Sequence, residues 1–194
     1  MATPQNIPEE ELLYYKGLYI LQKAIIPELR RLFKLFWQRR EGNPWQDQTS
    51  GKLFFKKYRP KATGKQYDDR IKTGNVDDWN LTLLCRAFID YTLEEDDVRK
   101  HRFNVFRELQ NVYSHKTRCS REEYEEHIRQ IRLAFRRLHL NEADLTQAEE
   151  IEPNETERQE LLSEIQLLNQ ERDKFAEEVF NKLFASDRDT PDKR

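Results

Sequence analysis

The sequence is short of the residues that staple or punctuate a fold. It holds two cysteines, one methionine, five glycines and seven prolines in 194 residues. Cys85 and Cys119 are too few for a disulfide framework or a structural zinc site, so an intracellular, cytoplasmic setting is expected. Cys85 lies inside an apolar helical pattern and reads as a small buried filler. Neither a P-loop nor a GxGxxG turn occurs, and there is no His-Glu-x-x-His zinc helix, so no cofactor or metal is expected. The most apolar run, Leu81–Ile89, is interrupted by Arg86 and is far too short to cross a bilayer. The start, Met1-Ala-Thr-Pro-Gln5, lacks the basic and apolar regions of a signal peptide. No stretch alternates with a period of two for long enough to make a strand. These absences leave an all-α chain, expected as an antiparallel bundle of four or five helices.

What the chain has in quantity is charge. Asp, Glu, Lys and Arg make up 36%, and the mean hydropathy of −1.00 confines apolar residues to helix faces. The net charge of −2 hides an uneven distribution. Residues 30–72 carry 13 Lys or Arg against 4 Asp or Glu, whereas residues 141–194 carry 7 against 16. The middle of the chain can attract phosphates and the end would repel them.

Helical spacing recurs along the chain. Pro8 followed by three glutamates opens a helix whose apolar face is Leu12, Leu13, Leu18, Leu21, Ile25 and Ile26. Pro27 is expected to break or kink it. Beyond it, Leu29, Leu32, Phe33, Phe36 and Trp37 share one side, and Arg30, Arg31, Lys34, Arg39 and Arg40 the other. Asp78 is placed to cap the next helix, with Leu81, Leu84, Cys85 and Phe88 at core spacing. Thr92-Leu-Glu-Glu95 and Ser120-Arg-Glu-Glu123 are capping boxes that open two more helices. On the second of these, Tyr124, Ile128, Ile131, Phe135 and Leu138 step four, three, four, three.

Residues 41–74 hold four of the five glycines and read as a long, irregular, basic insertion, a kind of loop that is usually functional or mobile. Within it, Phe54-Phe55-Lys56-Lys57-Tyr58-Arg59 interleaves aromatics and bases. This pattern suits single-strand RNA binding as well as an apolar clasp on the bundle. The bundle is expected over residues 1–142 and an acidic linker over 143–156. An amphipathic helix over 157–186 carries a heptad seam of Leu161, Ile165, Leu168, Phe175 and Val179, interrupted by Arg172. It can fold back on the bundle, pair with a second copy or recruit a protein partner. A disordered tail is expected over 187–194.

One helix carries a second pattern. Val98, Val105, Leu109 and Val112 form its expected buried stripe, with Arg102 filling the gap. Arg107, Asn111 and His115 lie four residues apart on a polar stripe, and Lys116 and Arg118 follow. By spacing alone this is a solvated polar face. Yet Asn111-Val-Tyr-Ser-His115, followed by an acidic helix, resembles the signature of the HEPN domain family, Arg-Asn, three variable residues and His. More closely, the chain resembles the branch found in a DAZ-interacting zinc-finger ubiquitin ligase and in NACHT or tetratricopeptide proteins. It extends over about residues 8–142, through Leu29-Arg-Arg-Leu-Phe33, Trp37, Gly42-Asn-Pro-Trp45, Gly51, Gly74-Asn-Val-Asp-Asp-Trp79 and Ala134-Phe-Arg-Arg-Leu138. The signature arginine is replaced by Gln110.

The resemblance implies a dimeric, metal-independent endoribonuclease cleft in which His115 moves protons while the RNA 2′-OH attacks phosphorus, and Asn111 orients groups. Such chemistry needs a neutral-pKa base and a cation at the developing charge. Gln110 has no charge, and Arg107 lies one turn back. The expected function is therefore an HEPN-like module for dimerisation, partner binding or RNA binding, in a signalling, innate-immunity or ubiquitin-ligase type architecture, with weak or no nuclease activity. The RNA contacts would come from Lys56, Lys57, Arg59, Lys116 and Arg118. The alternatives are an active ribonuclease that uses Arg107 or Arg118, and a plain helical scaffold that recruits coiled-coil partners. His101, His127 and His139 read as surface or helix-end residues.

Overall fold

The computed structural model describes residues 7–58, 65–92 and 97–185. Among these residues there is no strand, and the elements are helices. They are α1 (Glu9–Ile20), α2 (Ile26–Glu41), α3 (Asp47–Lys57), α4 (Lys65–Thr73), α5 (Leu81–Arg86), α6 (Asp97–His115), α7 (Arg121–Leu138), α8 (Glu142–Glu150) and α9 (Glu155–Ala185). Among the described residues no helix is long and apolar enough to cross a membrane. Arg59, the tail 187–194 and most of the Thr92–Glu95 capping box lie outside the described residues.

Several helix ends form as their sequences dictate. Ser120 Oγ accepts from the Glu123 N–H (3.2 Å), and the Glu123 carboxylate accepts from the Ser120 N–H (3.1 Å), completing the capping box of α7. Asn154 and Glu157 make the same reciprocal pair at the start of α9. The cap of α5 is Asn80, whose side chain accepts from the Leu83 N–H, and not the expected Asp78. Asp78 instead accepts from the Asn75 side chain. Pro27 does not break the first helix. A wide π-turn over Leu21–Ile25 precedes it, and Pro27 sits in the first turn of α2, where a missing donor is tolerated.

The 41–74 stretch is not an irregular insertion, because it carries the short helices α3 and α4 packed against each other. The glycines read as breakers are contact points. A Cβ on Gly51 would collide with the Ile71 carbonyl, and one on Gly74 with the Asp47 carbonyl. Gly74 also has φ +71°, which only glycine adopts without strain. Phe54 is buried against Phe33 (5.3 Å between ring centroids), beside Trp37, Trp45 and Trp79. The aromatics of the 54–59 run are thus an apolar clasp, and Lys56 and Lys57 remain exposed.

The expected linker over 143–156 is mostly helix. Leu145 and Ala148 of α8 are buried, and Asn141 caps it while its own N–H donates to the buried Glu28 carboxylate (3.1 Å). Leu161 and Ile165 of α9 belong to the same core as α1, α2 and α5–α7, so the last helix folds back on the bundle. The side chains of Phe175 and Val179 lie outside the described ones. Among the described residues the helices are therefore more numerous than four or five.

In α6 the buried stripe is Phe103, Phe106, Leu109, Gln110 and Tyr113, rotated from the expected valine stripe. Val105 and Val112 are only partly buried. Large aromatic rings bury more area than valines, and they set the rotation of the helix. On α7, Ile131 and Phe135 are buried, with Tyr124, Ile128 and Leu138 packed at the edge of the core, as their spacing requires.

Candidate functional site

The rotation of α6 decides where the motif residues point. Gln110, at the position where the resemblance calls for arginine, is only 5% exposed. Its side-chain oxygen accepts from the Thr82 hydroxyl on α5 (3.0 Å). Asn111 and His115 are exposed on the next strip, and Arg107 is half-buried one turn earlier. Arg107, Gln110, Asn111 and Ser114 thus line one side of a cavity of about 270 Å³.

The opposite wall comes from α9. Arg70 of α4 pairs with Glu171, and Asn80 Nδ2 donates to the same carboxylate (3.3 Å), which holds this part of α9 in place. Asn169 Nδ2 then donates to the Ser114 carbonyl (3.3 Å). Arg172 Nη1 lies 2.8 Å from His115 Nε2. Arginine has donors only, so Nε2 is the acceptor in this contact.

Three arginines from three helices face the cavity: Arg86 at the end of α5, Arg107 on α6 and Arg172 on α9. No aspartate or glutamate lines it. Arg86 sits over the Tyr67 ring (5.9 Å). Burial pushes the Tyr67 hydroxyl above its ordinary value, as does Glu171, while Arg86 and Arg70 pull it down. Burial likewise pushes the Cys85 thiol up to about 12, against a downward pull from Arg107. Arg172 Nε also lies 3.7 Å from the Asp173 carboxylate. The planar N–H fork of a guanidinium suits phosphate oxygens.

Of the residues singled out in the sequence, Arg107 and Asn111 line the cavity, and His115 adjoins it through Arg172. The others lie apart from it. Lys116 is paired with Glu123 (2.6 Å), and Lys57 with Glu41 (2.6 Å). Arg118 and Lys56 are exposed and do not line the cavity. Arg86, Arg172 and Thr82 were not anticipated. The first two had appeared only as interruptions of apolar patterns, and a cation that breaks such a pattern was the signal. His127 is not a free surface residue, since its Nδ1 lies 3.1 Å from the Tyr113 hydroxyl and burial lowers its pKa. His139 ends α7 in a left-handed conformation (φ 55°). Among the described residues no three His, Cys, Asp or Glu side chains gather as a metal site would need.

No protein-family model matches the chain, and searches of characterised proteins and of solved structures return no significant match.

Proposed function

We propose that the chain is an HEPN-like helical module that holds single-stranded RNA by a phosphate in the Arg86–Arg107–Arg172 cavity, and that it cleaves RNA slowly or not at all. The observation that carries this reading is the acid-free cavity with three arginines beside Asn111. Two further features argue against turnover. Gln110 is uncharged and tied to Thr82, and the His115 nitrogen that would accept a proton already accepts from Arg172. Losing one transition-state cation costs on the order of a hundredfold or more in rate. The resemblance adds that such a module belongs to a signalling or ubiquitin-ligase type architecture.

The homodimer implied by the resemblance would use the same face. In this chain α9 contributes Asn169 and Arg172 to it, and we infer that the site is completed within one chain. The buried Leu161 and Ile165 also disfavour a free coiled-coil seam. A second reading, a metal-independent endoribonuclease, is favoured by one observation: Arg172 places a cation against His115, the pairing that Gln110 does not provide.

A fluorescent mixed-sequence RNA with EDTA present tests both readings. Under the first, anisotropy reports binding that weakens steeply as salt rises, because counterions are released, and gels show intact RNA. Cleavage by the wild type that disappears in His115→Ala would establish the second. No binding at low salt would sink both.

A further inference from the structure

A second and larger cavity lies away from the motif face. It is a groove of about 530 Å³ between α2, the first residues after α5, α6 and the end of α7. Leu32, Leu35, Phe36 and Arg39 form one stripe of α2 along it. Leu35 is 41% exposed, although its neighbours on this stripe pack against the core. Phe88 and Phe103 stack face to face at its base (4.4 Å, 5°). The groove thus has an apolar floor that is left partly wet.

Its rim is cationic. Arg31, Arg39, Arg102, Arg137 and His139 line it, without an aspartate or glutamate. Arg31 is neutralised by Glu28 (2.7 Å). Arg39 and Arg137 are exposed and have no carboxylate partner among the described residues. Arg102 Nη1 donates to the Arg137 carbonyl (2.9 Å), covering one of the negative C-terminal carbonyls of α7. The Arg102 Nε is buried and has no acceptor among the described residues. The unpaired guanidiniums of Arg39 and Arg137 are the groups an anionic head group would meet. The volume falls within the range of roughly 300–1,000 Å³ common for small-molecule sites.

We propose that this groove binds a small amphipathic anion, an acyl or aryl chain that carries one carboxylate. The apolar body lies on Leu32, Leu35 and Phe36, and the carboxylate meets Arg39, Arg102 and Arg137. Charge complementarity selects this occupant over a neutral apolar ligand, because the exposed Arg39 and Arg137 have no carboxylate partner among the described residues. The site is independent of RNA binding at the α6 face.

Dodecanoate, kept below its micelle concentration, is the probe, with dodecanol as the uncharged control and titration calorimetry on the full chain as the readout. One dodecanoate per chain is expected to bind. Arg39→Ala and Arg137→Ala are each expected to weaken it about tenfold, the scale of one charge-assisted hydrogen bond. Leu35→Asp is expected to abolish binding, because it puts a like charge on the floor. All three positions are exposed, and an unchanged far-UV circular dichroism spectrum verifies that the variants fold. Lys52→Ala on α3 removes the same charge elsewhere and is expected to leave affinity unchanged. The proposal is overturned if dodecanoate shows no binding up to about 1 mM, the range of the weakest specific ligands. It is also overturned if dodecanol binds as tightly, or if affinity survives both arginine substitutions. An acidic amphipathic peptide that binds the groove where dodecanoate does not would replace the small-molecule reading with a protein partner.

Discussion

Deleting residues 150–194 is expected to unfold the bundle, although the composition of the chain suggests a separable appendage. Leu161 and Ile165 are 2% and 7% exposed and sit in the common core. Burying a leucine or isoleucine stabilises by about 1.5–3 kcal/mol each, so these two residues contribute roughly 3–6 kcal/mol. Leu162 and Leu168 add partial burial, and the deletion leaves Arg70 and Asn80 without the Glu171 carboxylate. A domain of ordinary stability has only about 5–15 kcal/mol to lose. The milder substitution Leu161→Ala should cost about 2–5 kcal/mol, and at roughly 2–4 °C per kcal/mol the melting temperature should fall by about 4–20 °C. Thermal melts followed by far-UV circular dichroism measure both variants. A truncated chain that melts within about 2 °C of the full chain, well under the shift for 1 kcal/mol, would refute the placement of α9 in the core.

Gln110→Arg tests the reading of the missing arginine. The side chain is buried beside three arginines, so the variant should lose about 3–5 kcal/mol and still leave RNA intact with EDTA present. A stable Gln110→Arg variant that cuts RNA would instead restore the outward-facing signature arginine. Glu28 tests the buried carboxylate between α2 and α8. Burial alone would raise its pKa, but the Arg31 guanidinium and the Asn141 N–H outweigh that and hold it below the usual carboxylate value. Its contribution is present above the unfolded-state value of about 4.3 and is lost as pH falls through the lower folded value. Urea melts should therefore show Glu28→Gln less stable than wild type at pH 7, with the gap closing in acid.

Local signals in the sequence were reliable where one segment decides its own structure. The Ser120 capping box and the Ile131/Phe135 stripe of α7 form as their spacing indicates. Failures came where a distant partner decides. Gly51 and Gly74 read as loop residues, yet they are close-contact positions between the α3 and α4 segments, which spacing does not reveal. The rotation of α6 turned on Phe103, Phe106 and Tyr113 outcompeting valines for the core. That rotation buries Gln110 and brings Arg107 to the cavity wall.

The arginines are the more instructive case. Arg86, Arg102 and Arg172 each interrupt an apolar pattern, and each lines a cavity. A charge in an apolar stripe costs stability unless something accepts it, so such a break indicates a position where the core opens to a polar space. Which arginines converge was invisible, because Arg86 and Arg172 are far apart in the chain and meet only when α9 folds back.

The central claim, that Arg86, Arg107 and Arg172 form a phosphate site, is tested most directly by thermal melts in inorganic phosphate against chloride of equal ionic strength. With a Kd of about 1 mM, phosphate at about 10 mM stabilises by about 1.4 kcal/mol, a rise of roughly 3–6 °C. Arg172→Ala and Arg86→Ala should abolish that rise. A wild type indifferent to phosphate, or arginine variants that still respond to phosphate, would contradict the account.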